Sequence, residues 1–174
     1  AHEAYYADFT NAMHIHPPFM MAPEYAEDMD PGEVYAAFYV MGHEMTHGFD
    51  LDGSTYDGEG KENNWWAAED RAKFEALNNQ VIEQIGTFEV AEGIFANSSK
   101  TVTEDVADMG GLNIAFDALT AYLTKMGISG DEMKEAQKNF FEHHAYRSHT
   151  HYTSEALQEQ LQDVHSADMV RVNG

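Results

Sequence analysis

The sequence predicts a mainly α-helical domain with a small β component, an α+β arrangement, on three observations. Apolar residues recur at helical spacing through most of residues 31–163, one short segment near the start alternates instead, and no internal repeat exists. At 174 residues the chain fits one domain, able to bury a core without metal or disulfide staples.

Taken in order, Asn11 to His16 alternates, with Met13 and Ile15 on one side and His14 and His16 on the other, and reads as a short strand. A Pro- and Met-rich stretch follows from Pro17 to Pro31. Asp30-Pro31-Gly32-Glu33 then supplies an N-cap, a proline at the first helical position and a capping-box acid. A helix should run from Pro31 to His47 with Val34, Phe38, Met41 and Met45 as its apolar stripe, and stop at Gly48. Residues 50–63 are glycine-rich and aperiodic, hence a loop. Asn64 should cap a second helix whose Trp66, Phe74, Leu77, Val81 and Ile85 share a face, both tryptophans serving the core. A third should start near Thr101, carry Leu112, Phe116, Leu119 and Leu123 inward and end before Gly127. Shorter helices are expected at 131–147 and 154–163.

Composition removes several classes of function. The chain has no cysteine, so thiolate metal sites, disulfides and cysteine nucleophiles are excluded and His, Asp and Glu are the metal ligands on offer. Thirty-one acidic against nine basic residues give a formal charge of −22, with no Lys or Arg before Lys61, so nucleic acid would be repelled. Neither a membrane-spanning apolar run nor a signal-peptide pattern is expected in this chain, which begins Ala-His-Glu and reads as a processed or excised piece.

Within the first helix lies His43-Glu44-Met45-Thr46-His47, which sets two imidazoles one turn apart on one face with a carboxylate beside them. That is the arrangement of a peptidase zinc site. A catalytic zinc takes three protein ligands and keeps a fourth position for water, so a third ligand is needed. Glu104 and Asp108, one turn apart on the third helix, could bind metal and orient a ligating imidazole respectively. Thr101 to Glu104 fits a capping box as well, and spacing alone leaves both readings open. His143, His144, His149 and His151 read as exposed or cleft-lining groups. Asp50-Leu51-Asp52-Gly53 resembles the start of a calcium loop but has Thr55 and Lys61 where that loop requires glycine and glutamate.

Taken together, the segments Val40 to Asp50, Tyr56-Asp57 with Gly60, Trp65-Trp66, Thr103 to Leu112 and Asp163-Val164-His165-Ser166 resemble the neprilysin (endothelin-converting-enzyme) family of zinc metallopeptidases in order and spacing. The resemblance implies a zincin-like catalytic core spanning residues 1–174, with one Zn2+ held by His43, His47 and Glu104. It also implies Glu44 as general base, Asp108 as the carboxylate behind a ligating histidine, His165 as the donor to the tetrahedral intermediate and Arg171 as the substrate-binding arginine. Asp50 matches a further acidic position. Peptides are the implied substrates, outside the cytoplasm, and the parts of the parent chain that enclose the cleft in family members are implied partners.

The sequence departs from the family's pattern in places. The asparagine-alanine pair that grips substrate backbone is matched either by Glu3-Ala4 or by Asn11-Ala12, the segment before Pro17-Pro18-Phe19 is shortened, Leu51 replaces an aspartate, and a tryptophan is missing around His149. The expected activity is endopeptidase hydrolysis of oligopeptides, with the strand at Asn11 to His16 pairing with an extended substrate. The rival is a zinc- or peptide-binding remnant without turnover. Glu44 argues against it, because metal binding does not require that residue.

Overall fold

The structure, a computed structural model, describes residues 4–17 and 29–174. Glu3 and Pro18-Phe19 lie outside the described residues. Two strands, β1 (Ala4–Ala7) and β2 (Ala12–Ile15), form an antiparallel hairpin in which Tyr5 faces His14 and Tyr6 faces Met13. The expected alternation holds, with Met13 and Ile15 half-buried and His14 and His16 exposed. Asn11 closes the turn in the left-handed region at φ 47°, a conformation that Asn tolerates better than most residues.

The helix expected at 31–47 forms as two, α1 (Pro31–Ala37) and α2 (Tyr39–His47), joined at Phe38. The break has a packing reason: α1 lies on α5 (Gly130–Arg147), while α2 lies on α4 (Ser98–Lys125). Asp30 caps α1 as expected, accepting from the Gly32 amide at 2.8 Å. The apolar stripe does not. Met45 is 51% exposed, and the buried face consists of Gly32, Ala36, Ala37, Gly42, His43 and Glu44. Gly48 ends α2 where a Cβ would meet the Tyr6 hydroxyl at 2.8 Å.

Helix α3 (Ala68–Ile85) begins beyond Asn64, which is not its cap. Its buried positions are Asn78 and Ile85, whereas Leu77 is 58% exposed. Trp65 is exposed and Trp66 half-buried. They pack on each other, and Trp66 packs on Phe74, at the surface and not in the core. Helix α4 starts at Ser98, three residues before the expected start, and buries Leu119 and Leu123 beside half-buried Leu112 and Phe116. The hairpin of β3 (Glu89–Ala91) and β4 (Ile94–Phe95) and the short α7 (Asp168–Asn173) were not anticipated; α6 spans Ser154–Gln160.

The main core joins Ala36, Ala115, Leu119, Leu123, Ala136 and Phe140, and a smaller one joins Ile85, Ala167 and Val170. Seven of the thirteen buried apolar residues described are alanine, so this fold relies on close helix approach rather than bulky side chains. The closest approach is between α2 and α4. A Cβ on Gly42 would lie 2.9 Å from the Gly111 Cα, and one on Gly111 would lie 2.5 Å from the His43 amide nitrogen. These glycines let the helix bearing the two histidines lie against the helix bearing Glu104. Gly111→Val should therefore push the helices apart, costing about 3 kcal/mol or more of stability in denaturant unfolding and weakening zinc binding in parallel. Wild-type stability and zinc affinity in that variant would show that the close approach is not required.

Candidate active site

His43 and His47 project from α2 with their Nε2 atoms 3.0 Å apart. Glu104, from the second turn of α4, brings Oε2 to 3.3 Å from His43 Nε2 and 3.5 Å from His47 Nε2. Ligand atoms held tetrahedrally at roughly 2.0–2.1 Å from zinc lie about 3.3 Å from one another, so the three atoms form one face of such a site. Glu104 Oε2 is buried, and none of the imidazoles around it completes a hydrogen bond of sound geometry to it. A buried carboxylate oxygen left so is costly without a cation, and the donor set of two imidazoles and one carboxylate is that of a catalytic zinc. The residues fit the metal. Alternative groupings, His43 with Glu44 and His47, or His43 with Glu104 and His165, also bring ligand atoms within 4.8 Å. Among His43, His47 and Glu104 the mutual distances of 3.0, 3.3 and 3.5 Å match the tetrahedral spacing on all three sides.

Each histidine is fixed from behind. His43 Nδ1 lies 2.8 Å from Asp108 Oδ1, and His47 Nδ1 lies 2.7 Å from Asp50 Oδ2, which directs both Nε2 atoms inward. Asp50 is 2% exposed and is itself held by the amides of Asp52 and Gly53 at 2.8 Å. Sequence reasoning gave this orienting role to Asp108 alone. The signal for Asp50 was its position three residues after His47, just past the helix stop. Arg171 in turn clamps Asp108, with Nε at 2.6 Å from Oδ2 and Nη2 at 2.7 Å from Oδ1, and reaches the Tyr39 hydroxyl at 3.3 Å. Thr101 lies inside α4 and its hydroxyl bonds to Asp105, so no capping box forms with Glu104.

Glu44 is buried on the same turn of helix, with a carboxylate oxygen within 4.8 Å of the ligand atoms of both histidines. Burial raises its pKa, opposed by the neighbouring His43 and His47. His165 brings Nε2 to 3.2 Å from Glu104 Oε2 and is steadied at Nδ1 by Asp163 at 2.7 Å. Its closeness to Glu104, with Asp163 and against the effect of burial, pushes its pKa up to about 9. Burial would lower His47, but the neighbouring carboxylates of Asp50 and Glu104 prevail and raise it to about 10. His43 is likewise raised, burial being outweighed by Asp108 and Glu104. Burial disfavours charge on Glu104, yet the three imidazoles hold its pKa far below the carboxylate range.

The cleft has a volume of about 370 Å3 and is bordered by β1, not by the Asn11 to His16 strand expected to meet substrate. Ala4, Tyr5 and Tyr6 line it together with Glu44 and His165, and β2 pairs with β1 instead. Among the other histidines, His144 is buried against Tyr39 and lines a separate hollow beside Asp108 and Arg171, where burial lowers its pKa. His149 and His151 are exposed.

The protons on the histidines have a measurable consequence. Because His47 is raised to about 10, it carries a proton at pH 7 in the metal-free chain that zinc must displace, and His43 is raised in the same direction by Asp108 and Glu104. Zinc affinity should therefore fall as pH falls, by about tenfold per pH unit for each proton displaced. Calorimetric zinc titrations in buffers of differing ionisation enthalpy check this, and a pH-independent affinity would contradict it. Asp108→Ala and Asp50→Ala should each lower zinc affinity by roughly 10- to 100-fold, measured by competition with a chelator. Wild-type affinity in either would remove that carboxylate from the orienting role.

Fold and site together define a zincin-like metallopeptidase core, helical with few strands and with a glutamate two helices on from the His-Glu-x-x-His pair. The sequence pattern of peptidase family M13 matches residues 3–174, and the chain belongs to that family. It is 31% identical to Neprilysin-11 of Caenorhabditis elegans, over 98% of this chain and 21% of that protein. It is 29% identical to human Neprilysin, over 92% of this chain and 22% of that one. Among solved structures it superposes on Mycobacterium tuberculosis zinc metalloprotease ZMP1 in complex with inhibitor at a TM-score of 0.89, with 28% identity over 98% of this chain and 27% of that chain. PEPO from Lactobacillus rhamnosis gives a TM-score of 0.83 at 28% identity over 98% of this chain and 26% of that chain. The chain spans about a fifth of the length of these curated relatives.

Proposed function

We propose that residues 1–174 form the catalytic domain of a zinc metalloendopeptidase that hydrolyses oligopeptides, with one Zn2+ per chain held by His43, His47 and Glu104. The observation that carries this reading is the convergence of those three ligand atoms, with a Glu44 carboxylate oxygen within 4.8 Å of both histidine ligand atoms. Bound zinc would supply Lewis acidity toward the scissile carbonyl and lower the pKa of a water toward ~7. Glu44 takes the proton of the attacking water and later delivers it to the leaving amine, a shuttle that its raised pKa favours. His165, on the rim of the cleft and steadied by Asp163, presents a donor where the substrate oxyanion develops.

Arg171 gives Nε and Nη2 to Asp108 and Nη2 to Tyr39 and borders the hollow beside His144, so the contact we assign it with a substrate carbonyl or carboxylate would be made from that side of the ligand face. Ala4 lines the cleft, and we assign Ala4 rather than Ala12 to the side of the substrate backbone. Further segments of a parent chain would close the cleft, and an extracytoplasmic location is carried by the family alone. No described helix is long and apolar enough to cross a membrane. Metal analysis paired with a peptide-cleavage assay, with and without chelator, tests the reading. One zinc per chain with chelator-sensitive cleavage is expected. Stoichiometric zinc without cleavage of a varied peptide library, also in a chain extended to family length, would leave a binding module.

A further inference from the structure

His165 sits on the segment between α6 and α7, outside any helix or strand, yet its proposed task demands a fixed position over Glu104. Its own side chain contacts only Asp163 and Glu104 at hydrogen-bonding range, and Asp163 is on the same segment. Something must register this segment against α4. The adjacent residue does so: Ser166 Oγ donates to Thr101 Oγ1 at 3.0 Å, and Thr101 Oγ1 donates to Asp105 Oδ2 at 2.7 Å. All three residues are buried, at 5%, 5% and 4% exposure. Thr101 and Ser166 thus converge on the Asp105 carboxylate, which Ser166 also approaches directly, while the Thr101 hydroxyl lies 3.5 Å from the Asn97 carbonyl as well. Thr101 and Asp105 flank Glu104 on α4, Thr101 three residues before it and Asp105 directly after it. The other ties to α4 and α6, from Lys100 to the Gln162 carbonyl and from Gln160 to the His165 carbonyl at 2.9 Å, are exposed or half-buried.

We propose that Ser166, Thr101 and Asp105 are positioning residues that lock the His165 segment onto α4, setting the imidazole at its working distance from Glu104. This rests on the reading of His165 as the donor to the oxyanion. A group so held tolerates little error, since a displacement of about 1 Å can cost roughly 100-fold in rate. Thr101→Val keeps the shape and removes both Thr101 links, leaving Ser166 its direct approach to Asp105, whereas Ser166→Ala removes the segment's side of the tie altogether. Thr101→Ser keeps the hydroxyl.

The test uses the zinc-loaded 174-residue chain with three readouts: amide hydrogen exchange at residues 164–167 with the His165 imidazole NMR signals, zinc affinity, and kcat and KM on a peptide. In Thr101→Val, exchange should quicken about tenfold or more and the His165 signals shift, while zinc affinity stays within about threefold. Turnover should fall by roughly 10- to 100-fold with KM within about threefold, and Thr101→Ser should restore it. Ser166→Ala, which alters only the loop side, should reproduce the effect if Thr101→Val does not fold. Unchanged exchange and imidazole signals would overturn the proposal, as would zinc loss in step with turnover or failure of Thr101→Ser to rescue. A wild-type chain that cleaves no peptide would count against the peptidase reading alone, because the exchange and NMR readouts would still decide whether the tie holds His165.

Discussion

Glu44→Gln is expected to leave zinc content and affinity close to wild type and to lower peptide hydrolysis by about 100- to 10,000-fold. The glutamine keeps the length and planarity of the side chain at a position that is 7% exposed, so packing against β1 should survive. The three proposed ligand atoms belong to other residues and their mutual distances do not involve Glu44. What the change removes is a group that can hold a proton and give it back. A neutral amide cannot accept the proton of the attacking water, so the loss should fall on kcat far more than on KM. Metal analysis and steady-state kinetics on the same preparation check this. Hydrolysis near the wild-type rate in a zinc-loaded Glu44→Gln chain would take the general-base role away from this residue.

The sequence was most legible where one helix carries its own signals. Asp30-Pro31 and Gly48 bound the region of His43, Glu44 and His47 as read, and the alternation of Met13 to His16 gave β2 its faces. What was lost depends on partners remote in sequence. Phe38 breaks the expected single helix because α1 and α2 serve different neighbours, which no local periodicity encodes. The expected stripe through Met45 failed because the contact face of α2 is made of Gly42, His43 and Glu44, small or polar residues that a hydrophobic pattern does not count. Trp65 and Trp66 misled for the opposite reason, being large and apolar yet placed at the surface beside Phe74. Within the site, Glu104 and Asp108 could be nominated from their spacing, but the choice between ligand and capping-box acid needed the start of α4 at Ser98. The bonds from Asp50 to His47 and from Arg171 to Asp108 became visible only in three dimensions.

Glu104→Ala should abolish tight zinc binding, with a loss exceeding the roughly 10- to 100-fold that removal of an orienting carboxylate costs. The residue supplies the one anionic oxygen of the proposed ligand face, and that oxygen lies buried among three imidazole nitrogens at 3.2 to 3.5 Å. Without it, His43 and His47 would offer two neutral nitrogens one turn apart, which is half of a catalytic zinc site. The variant also separates ligand loss from helix loss. Because α4 begins at Ser98, Glu104 sits in its second turn with six helical residues before it, and its removal should not fray the helix as loss of a capping residue would. Circular dichroism should accordingly show wild-type helix content while chelator competition shows the metal gone. Glu104→Gln, which keeps an oxygen but not the charge, should fall between the two. If Glu104→Ala bound zinc with wild-type affinity and stoichiometry, the third ligand would have to be sought elsewhere, first at His165, whose Nε2 is the next nitrogen on that side of the cleft.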